Sequence, residues 1–163
     1  GDVYKRQIWD TMTFPVSYQV KYVRDFLLSE GSRYTELIPN AELVTPNKAG
    51  DPYGYRGWAF ASATEKRDLI LGYVERDCPR VAVRGLRPYE KYDFIWFDPC
   101  DGTWSGSTKL SVSAVGMIHL PEYPGRQDWA FKLKKIQEPY RIDTSENPKS
   151  SLEEYRRQKV RKG

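Results

Sequence analysis

The segment Trp96–Trp104 constrains the fold of this chain more than any other part of it. Tyr89–Phe97 is an apolar and polar alternation long enough to be the longest strand, and Asp98-Pro-Cys-Asp-Gly102 follows it directly. Aspartate, proline and Asp-Gly are residues of tight turns, so the pattern predicts a strand that reverses into a return strand starting at Thr103-Trp104. Asp98 and Asp101 are interpreted as turn formers that bond their own backbone, and not as a catalytic acid and base.

Other short strand patterns lie on both sides of this turn. Leu69–Glu75 is apolar on both faces, which predicts a strand covered on both sides. Trp129, Phe131 and Leu133 alternate with smaller or charged residues, as in a half-buried strand. Further strands are expected at 58–64, around Val81 and Val83, and at 116–120. Six to eight short strands with no helix between them predict a mainly β fold, an antiparallel β-sandwich, and argue against a parallel α/β sheet.

One amphipathic α-helix is predicted before the strands. Thr13 is suited to cap it, Pro15 to its first turn and Gly31 to its end. Four apolar residues recur at helical spacing and form one stripe, widened by Phe26: Val16, Val20, Val23 and Leu27. A stripe of this kind needs a partner surface that covers it.

These patterns divide the chain into four parts. Residues 1–7 are predicted to be a non-native leader, because they resemble translated linker DNA at the edge of an incomplete gene. Residues 8–47 hold the helix and a connector, and residues 48–136 hold the β-sandwich. Residues 137–163 form a polar tail that is predicted to be disordered.

Composition excludes several classes of function. A net charge of +4 over 163 residues is too mild for a nucleic-acid-binding protein. The sequence contains no run of about 18 apolar residues, so it predicts no membrane span. Cys78 and Cys100 form either one disulfide or two free thiols, and with the scattered His119 they do not make a zinc site. His119 has no nucleophile motif around it, and no glycine-rich phosphate loop is present, so no metal and no cofactor are predicted.

Aromatic side chains are the candidates for ligand binding, because the C–H faces of sugar rings stack on flat phenol and indole rings. The candidate glycan contacts are Tyr53, Tyr55, Trp58 and Trp104. The alternative for Trp58 is a place in the sandwich core. Trp96 and Trp129 are predicted to be core residues, the usual fate of tryptophans in sandwich strands.

The order of these motifs resembles a known module. The pattern Trp96-Phe-Asp-Pro99 with Gly102, the closing Asp128-Trp-Ala-Phe-Lys-Leu133 and the connector around Leu37-Ile-Pro39 are similar to the C-terminal β-sandwich of bacterial apiosidase-like glycoside hydrolases. In that family the sandwich follows a (β/α)8 barrel and carries the label of a collagen-binding domain, given by weak similarity. The likeness covers residues 14–136. Cys100 departs from the family, which has a basic or polar residue there.

The resemblance implies that residues 14–29 are the last barrel helix, present as a fragment without its barrel. The apolar stripe and the Tyr53/Tyr55 loop would then pack against the missing barrel, although a glycan contact is an equal alternative for that loop. The catalytic carboxylates of such enzymes lie on earlier barrel strands, so no catalytic residue is carried over to this chain. The family also implies an extracellular or periplasmic location.

Three functions follow as hypotheses. The first is a non-catalytic ancillary domain of a carbohydrate-active enzyme, which supports the barrel and contacts glycan near its cleft. The second is an autonomous carbohydrate- or collagen-binding module, which requires an exposed aromatic platform. The third, an enzyme in its own right, is disfavoured. The predicted partners are therefore the barrel and a polysaccharide, with neither nucleic acid nor membrane.

Overall fold

The computed structural model describes residues 15–46 and 57–137, with side chains from Tyr18 onward in the first range. The predicted leader 1–7, Tyr53, Tyr55 and the tail from residue 138 lie outside the described residues. Helix α1 spans Pro15–Leu27. It runs into 3-10 turns at Leu28–Glu36, where Gly31 has the left-handed φ of 64° that favours glycine.

Nine strands follow in the described part of the chain, together with a 3-10 turn at Ala41–Leu43. They are β1 (Ile38–Pro39), β2 (Val44–Thr45), β3 (Ala59–Ala63), β4 (Leu69–Val74), β5 (Ala82–Arg84), β6 (Lys91–Phe97), β7 (Thr108–Ser111), β8 (Met117–His119) and β9 (Trp129–Lys135). The prediction of six to eight strands missed β1 and β2. Both lie in the connector and have two residues each, too short for an alternation to appear.

The strands form two antiparallel sheets. One has six strands in the order β1-β3-β4-β9-β6-β7, and the other has three in the order β2-β5-β8. Every pairing is antiparallel. The predicted mainly β fold with antiparallel sheets and one preceding α-helix is thus confirmed for the described residues. The connector contributes one strand to each sheet, so it is part of the sandwich and not a separate link.

The main core lies between the inner faces of the sheets. It takes alternate residues of the strands of both sheets, among them Ile70, Val83, Phe94, Trp96, Ile118, Trp129, Phe131 and Leu133. Trp96 and Trp129 are 4% and 8% exposed, so their prediction as core residues is confirmed. At the centre Gly72 lies against the Phe131 ring, where a Cβ atom would come within 2.1 Å of a ring carbon.

A second apolar cluster lies on the outer face of the six-stranded sheet, beneath helix α1. It contains Phe26, Leu69, Leu71, Phe97 and Ala130. Because the even-numbered and odd-numbered residues of β4 enter different clusters, the prediction that this strand is covered on both sides is confirmed. Ala130 is buried in this cluster as well. Strand β9 is therefore covered on both faces at this position, whereas the sequence predicted that only one face is buried.

The turn after β6 has the predicted chemistry. The Asp98 carboxylate accepts a hydrogen bond from the Cys100 N–H at 2.8 Å, and Asp101 accepts from the Thr103 N–H at 2.9 Å. The return strand begins later than predicted: Trp104 makes an isolated bridge to Phe97, and β7 starts at Thr108. The turn is tight enough to place these side chains within reach of helix α1.

Helix α1 contacts the sheet through Phe26, which widens the predicted stripe, and not through the described residues of the stripe itself. Phe26 is 8% exposed and Tyr22 packs beside it in the cluster beneath the helix. The predicted stripe faces solvent instead, with Val20 67%, Val23 52% and Leu27 40% exposed. The Val16 side chain lies outside the described residues. The stripe is therefore an apolar surface that no described residue covers.

Candidate functional site

Trp104 lies half-buried over the cluster beneath helix α1. Its ring centroid is 4.7 Å from that of Phe97 and 5.7 Å from that of Phe26, with which it stacks. The Lys132 ammonium lies 4.7 Å from the indole centroid, a distance at which a cation is attracted to the ring. Three neighbours therefore surround this indole, and it fastens the helix to the sheet. Only its exposed remainder is open to a glycan.

Trp58 lies half-buried at the start of β3. Its ring stacks on that of Phe60 at 6.0 Å and an interplanar angle of 5°, and Phe60 is 46% exposed. The Trp58 backbone N–H donates to Glu75 Oε2 at 3.2 Å. Its indole Nε1 is buried and has no hydrogen-bond partner among the described residues. Trp58 belongs to neither core cluster, so it stays a candidate for ligand contact, with Phe60 as a neighbour that the sequence reading did not select.

A groove runs along the outer face of the six-stranded sheet, between the end of helix α1 and β3. We call it the outer groove. Its volume is about 320 Å³, and its lining includes Leu27, Tyr34, Leu37, Phe60 and Tyr73. It adjoins the exposed stripe of the helix through Leu27. Stripe and groove together make one continuous apolar surface.

A second and larger cavity lies at one end of the sandwich. This end cleft, about 570 Å³ in volume, opens between the β4–β5 loop and the β8–β9 loop. Its lining combines the carboxylates of Glu75, Asp77 and Glu122 with the guanidinium groups of Arg80 and Arg126. The sequence reading missed it, because its residues are charged, lie in two distant loops and follow no spacing.

Buried groups beneath the end cleft have raised pKa values. Burial raises the pKa of the Cys78 thiol, although a hydrogen bond with Tyr123 opposes the shift. Burial also raises the pKa of Tyr123, and the Cys78 side chain adds to it. Both groups are therefore neutral near pH 7. The structure leaves Cys78 and Cys100 as free thiols, the first buried and the second exposed, which decides between the two alternatives for the cysteines.

The carboxylates do not make a hydrolytic pair at the turn. Asp98 is 8% exposed, and its two oxygens accept from the Cys100 N–H and the Gln127 amide. Asp101 accepts from the Thr103 N–H and hydroxyl. Their interpretation as turn formers is confirmed. His119 is exposed.

Two absences apply to the described ranges alone. Within 15–46 and 57–137, no group of three or more histidine, cysteine, aspartate or glutamate side chains is placed to hold a metal ion. In the same ranges, no helix has the length and apolar character needed to cross a membrane.

The fold is similar to part of known glycoside hydrolases. A protein described as a glycoside hydrolase superposes with a TM-score of 0.55 and 19% identity, over 81% of this chain and 28% of its own. A glycoside hydrolase family 5 protein from Bacteroides vulgatus ATCC 8482 gives a TM-score of 0.54 and 17% identity, over 77% of this chain and 26% of its own. No protein-family model matches the sequence, and no curated protein matches it significantly.

At these identities the likeness shows that the chain shares the fold of part of these two proteins, and nothing narrower. The chain spans less than a third of the length of either structure. Neither description mentions an apiosidase or collagen, so that part of the resemblance stays a prediction.

Proposed function

We propose that this chain is the non-catalytic ancillary β-sandwich of a carbohydrate-active enzyme, a glycoside hydrolase of the apiosidase-like kind, and that it supports the catalytic barrel. The observation that carries the proposal is the apolar surface formed by the stripe of helix α1 and the outer groove. It lies outside the inner core of the sandwich. Its proposed occupant is the missing (β/α)8 barrel.

The exposure of several apolar side chains on one surface supports a protein partner. Val20, Val23 and Leu27 are each at least 40% exposed on one helix face, and Phe60 and Tyr34 are 46% and 44% exposed at the groove. Single exposed apolar residues are ordinary, but a contiguous patch marks an interaction surface. Covering it would recover roughly 25 cal/mol for each Å² of apolar area.

The attachment of the helix to the sandwich also supports a bracing role. Glu30, in the turns after the helix, accepts from the Lys132 and Lys134 ammonium groups at 2.8 and 2.6 Å. Arg33 donates to both carboxylate oxygens of Asp68, at 3.0 and 2.9 Å. A carboxylate that accepts two hydrogen bonds from cationic groups is held in place better than one in a single surface pair. A barrel packed on the helix would therefore be held in a set orientation.

The exposed stripe can be tested directly on the purified chain. We expect the chain to self-associate and to bind the dye ANS through the apolar surface. Val20→Lys combined with Val23→Lys should lower both signals, because charge is placed in the centre of the patch. Val115→Lys is the matched control, since Val115 is 79% exposed and lies in a loop away from the helix. A monodisperse wild-type chain that binds no dye would contradict the proposal.

A second test concerns the parent gene. We expect the reading frame upstream of Ile8 to encode barrel strands with two acidic residues placed for glycoside hydrolysis, about 5 to 10 Å apart in the folded barrel. An upstream frame without such strands, or glycosidase turnover by this chain alone, would count against an ancillary role.

The end cleft favours a second candidate, an autonomous binding module for a polysaccharide. The label of the resembling module adds collagen as a second ligand to test. Affinity electrophoresis on plant polysaccharides and a collagen pull-down would separate it from the first. The variants Tyr53→Ala, Tyr55→Ala, Trp58→Ala and Trp104→Ala test the aromatic candidates in the same assays. If the wild-type chain is neither retarded by any polysaccharide nor pulled down with collagen, this candidate is ruled out.

A further inference from the structure

The end cleft has walls that are held in place before any ligand arrives. The Tyr123 hydroxyl donates to the Pro79 carbonyl at 2.8 Å, and Arg80 Nε donates to the Leu120 carbonyl at 2.7 Å. Asp128 accepts from the Arg76 N–H at 2.7 Å. Each bond joins the β4–β5 loop to the β8–β9 loop. A cleft tied at three points loses little conformational entropy on binding.

Two charged side chains of the cleft take no part in these hydrogen bonds. Glu122 and Arg126 are exposed in the cleft lining and make no hydrogen bond or ion pair with any described residue. Glu75 and Arg80, by contrast, are each engaged by backbone groups. A carboxylate accepts hydrogen bonds and a guanidinium donates them, so the two free groups offer complementary contacts.

The charge of the lining selects among ligands. Three carboxylates (Glu75, Asp77, Glu122) and two guanidinium groups (Arg80, Arg126) give a formal charge of −1. Neither an anion nor a strong cation is favoured by so balanced a field. A hydroxyl group both donates and accepts, so a neutral molecule rich in hydroxyls can satisfy both kinds of side chain.

The floor of the cleft is apolar. Val74 and Cys78 are 1% and 5% exposed, and Tyr123 presents a half-buried phenol ring. Sugar rings combine hydroxyl edges with C–H faces, which matches charged walls over an apolar floor. The volume of about 570 Å³ lies within the range of small-molecule sites, roughly 300 to 1,000 Å³.

We infer that the end cleft is a binding site for a neutral saccharide, with Glu122 and Arg126 as the contacts to its hydroxyls. The inference rests on the carbohydrate-active role proposed above and extends it. The cleft is built by loops at the end of the sandwich. Trp104 lies on the outer face, and Trp58, although its N–H donates to Glu75, is not among the lining residues. It is thus a site that the aromatic candidates do not define.

The test is an NMR titration of the full 163-residue chain, labelled with ¹⁵N. The probes are cellohexaose, xylohexaose and mannohexaose, with hexagalacturonic acid and chitosan hexamer as charged comparators. We expect a neutral hexasaccharide to shift the amides of residues 75–80 and 122–127. Arg126→Ala and Glu122→Gln should each weaken binding on the order of tenfold, the effect of losing a hydrogen bond to a charged group.

Matched controls come from the opposite end of the sandwich. Arg87, beyond the far end of β5, and Glu65, before β4, are exposed, so Arg87→Ala and Glu65→Gln should leave the affinity unchanged. The inference is overturned if no neutral probe binds, if only a charged probe binds, or if the shifts centre on Trp104 and the outer groove. A negative titration beside a positive result for the helix surface would leave the ancillary role standing.

Discussion

We expect Phe26→Ala to release helix α1 while the sandwich stays folded. Phe26 is the only side chain among the described residues of the helix that is buried, at 8% exposure. Its ring lies 5.3 Å from Phe97 and 5.7 Å from Trp104, measured between centroids. The helix has 13 residues, a length at which an isolated helix is marginal in water. Its order therefore depends on packing against the sheet, and Phe26 supplies the one buried side chain of that contact among the described residues.

The magnitude follows from the burial. Replacing a buried phenylalanine by alanine costs about 3–5 kcal/mol, and the lower figure suits a side chain at the edge of a cluster. The loss falls on docking of the helix, because the inner core of the sandwich does not include Phe26. A loss of about 3 kcal/mol raises the open fraction of the helix roughly 100-fold.

Hydrogen exchange followed by mass spectrometry measures this locally. Amides of residues 18–27 should exchange roughly 100-fold faster in Phe26→Ala, and those of β4 and β9 at the wild-type rate. Val23→Ala is the control, because Val23 is 52% exposed and its loss should change little. Equal acceleration in helix and strands, or none in the helix, would refute the reasoning.

Two further predictions concern the turn and the connector. Gly102→Ala should lower stability by about 1–3 kcal/mol in urea unfolding, because Gly102 has φ 77° and a Cβ atom there would lie 2.4 Å from the Tyr22 ring; wild-type stability would contradict this. Hydrogen bonds from Thr64 and Arg33 lower the pKa of Asp68. Its stabilising effect is therefore full above the unfolded value of about pH 4 and is lost as pH falls through the folded value. Between pH 7 and pH 3, Asp68→Asn should lose less stability than wild type. An equal loss would contradict the stabilising role of the ionised Asp68 carboxylate.

The sequence predicts those features of the sandwich that depend on a local residue pattern alone. The apolar run of β4 indicated cover on both faces, and Asp98 and Asp101 indicated their turn. The helix was predicted as an element, but its contact face was not. Periodicity finds an apolar stripe, yet it does not say which neighbour the stripe meets. Here Phe26, at the edge of the stripe, meets the sheet together with Tyr22.

The candidate sites were less accessible to sequence reasoning. Aromatic residues were selected as ligand contacts by type alone, and type does not separate an open ring from one enclosed by neighbours, as Trp104 is. The end cleft joins loops about Glu75 and Glu122 that are distant in sequence and become adjacent through the sheet pairings. Only a known strand order brings them together.

The ion pairs of Glu30 and Arg33 bear on how such a module could pass between genes. They join the turns after helix α1 to β9 and to the β3–β4 turn, so these turns are part of the sandwich. A recombination event that cut the chain at Pro39 would sever these pairs and strip β1 from its sheet. We therefore expect a crossover that preserves the fold to lie before Glu30, so that an inherited copy of this module keeps these turns.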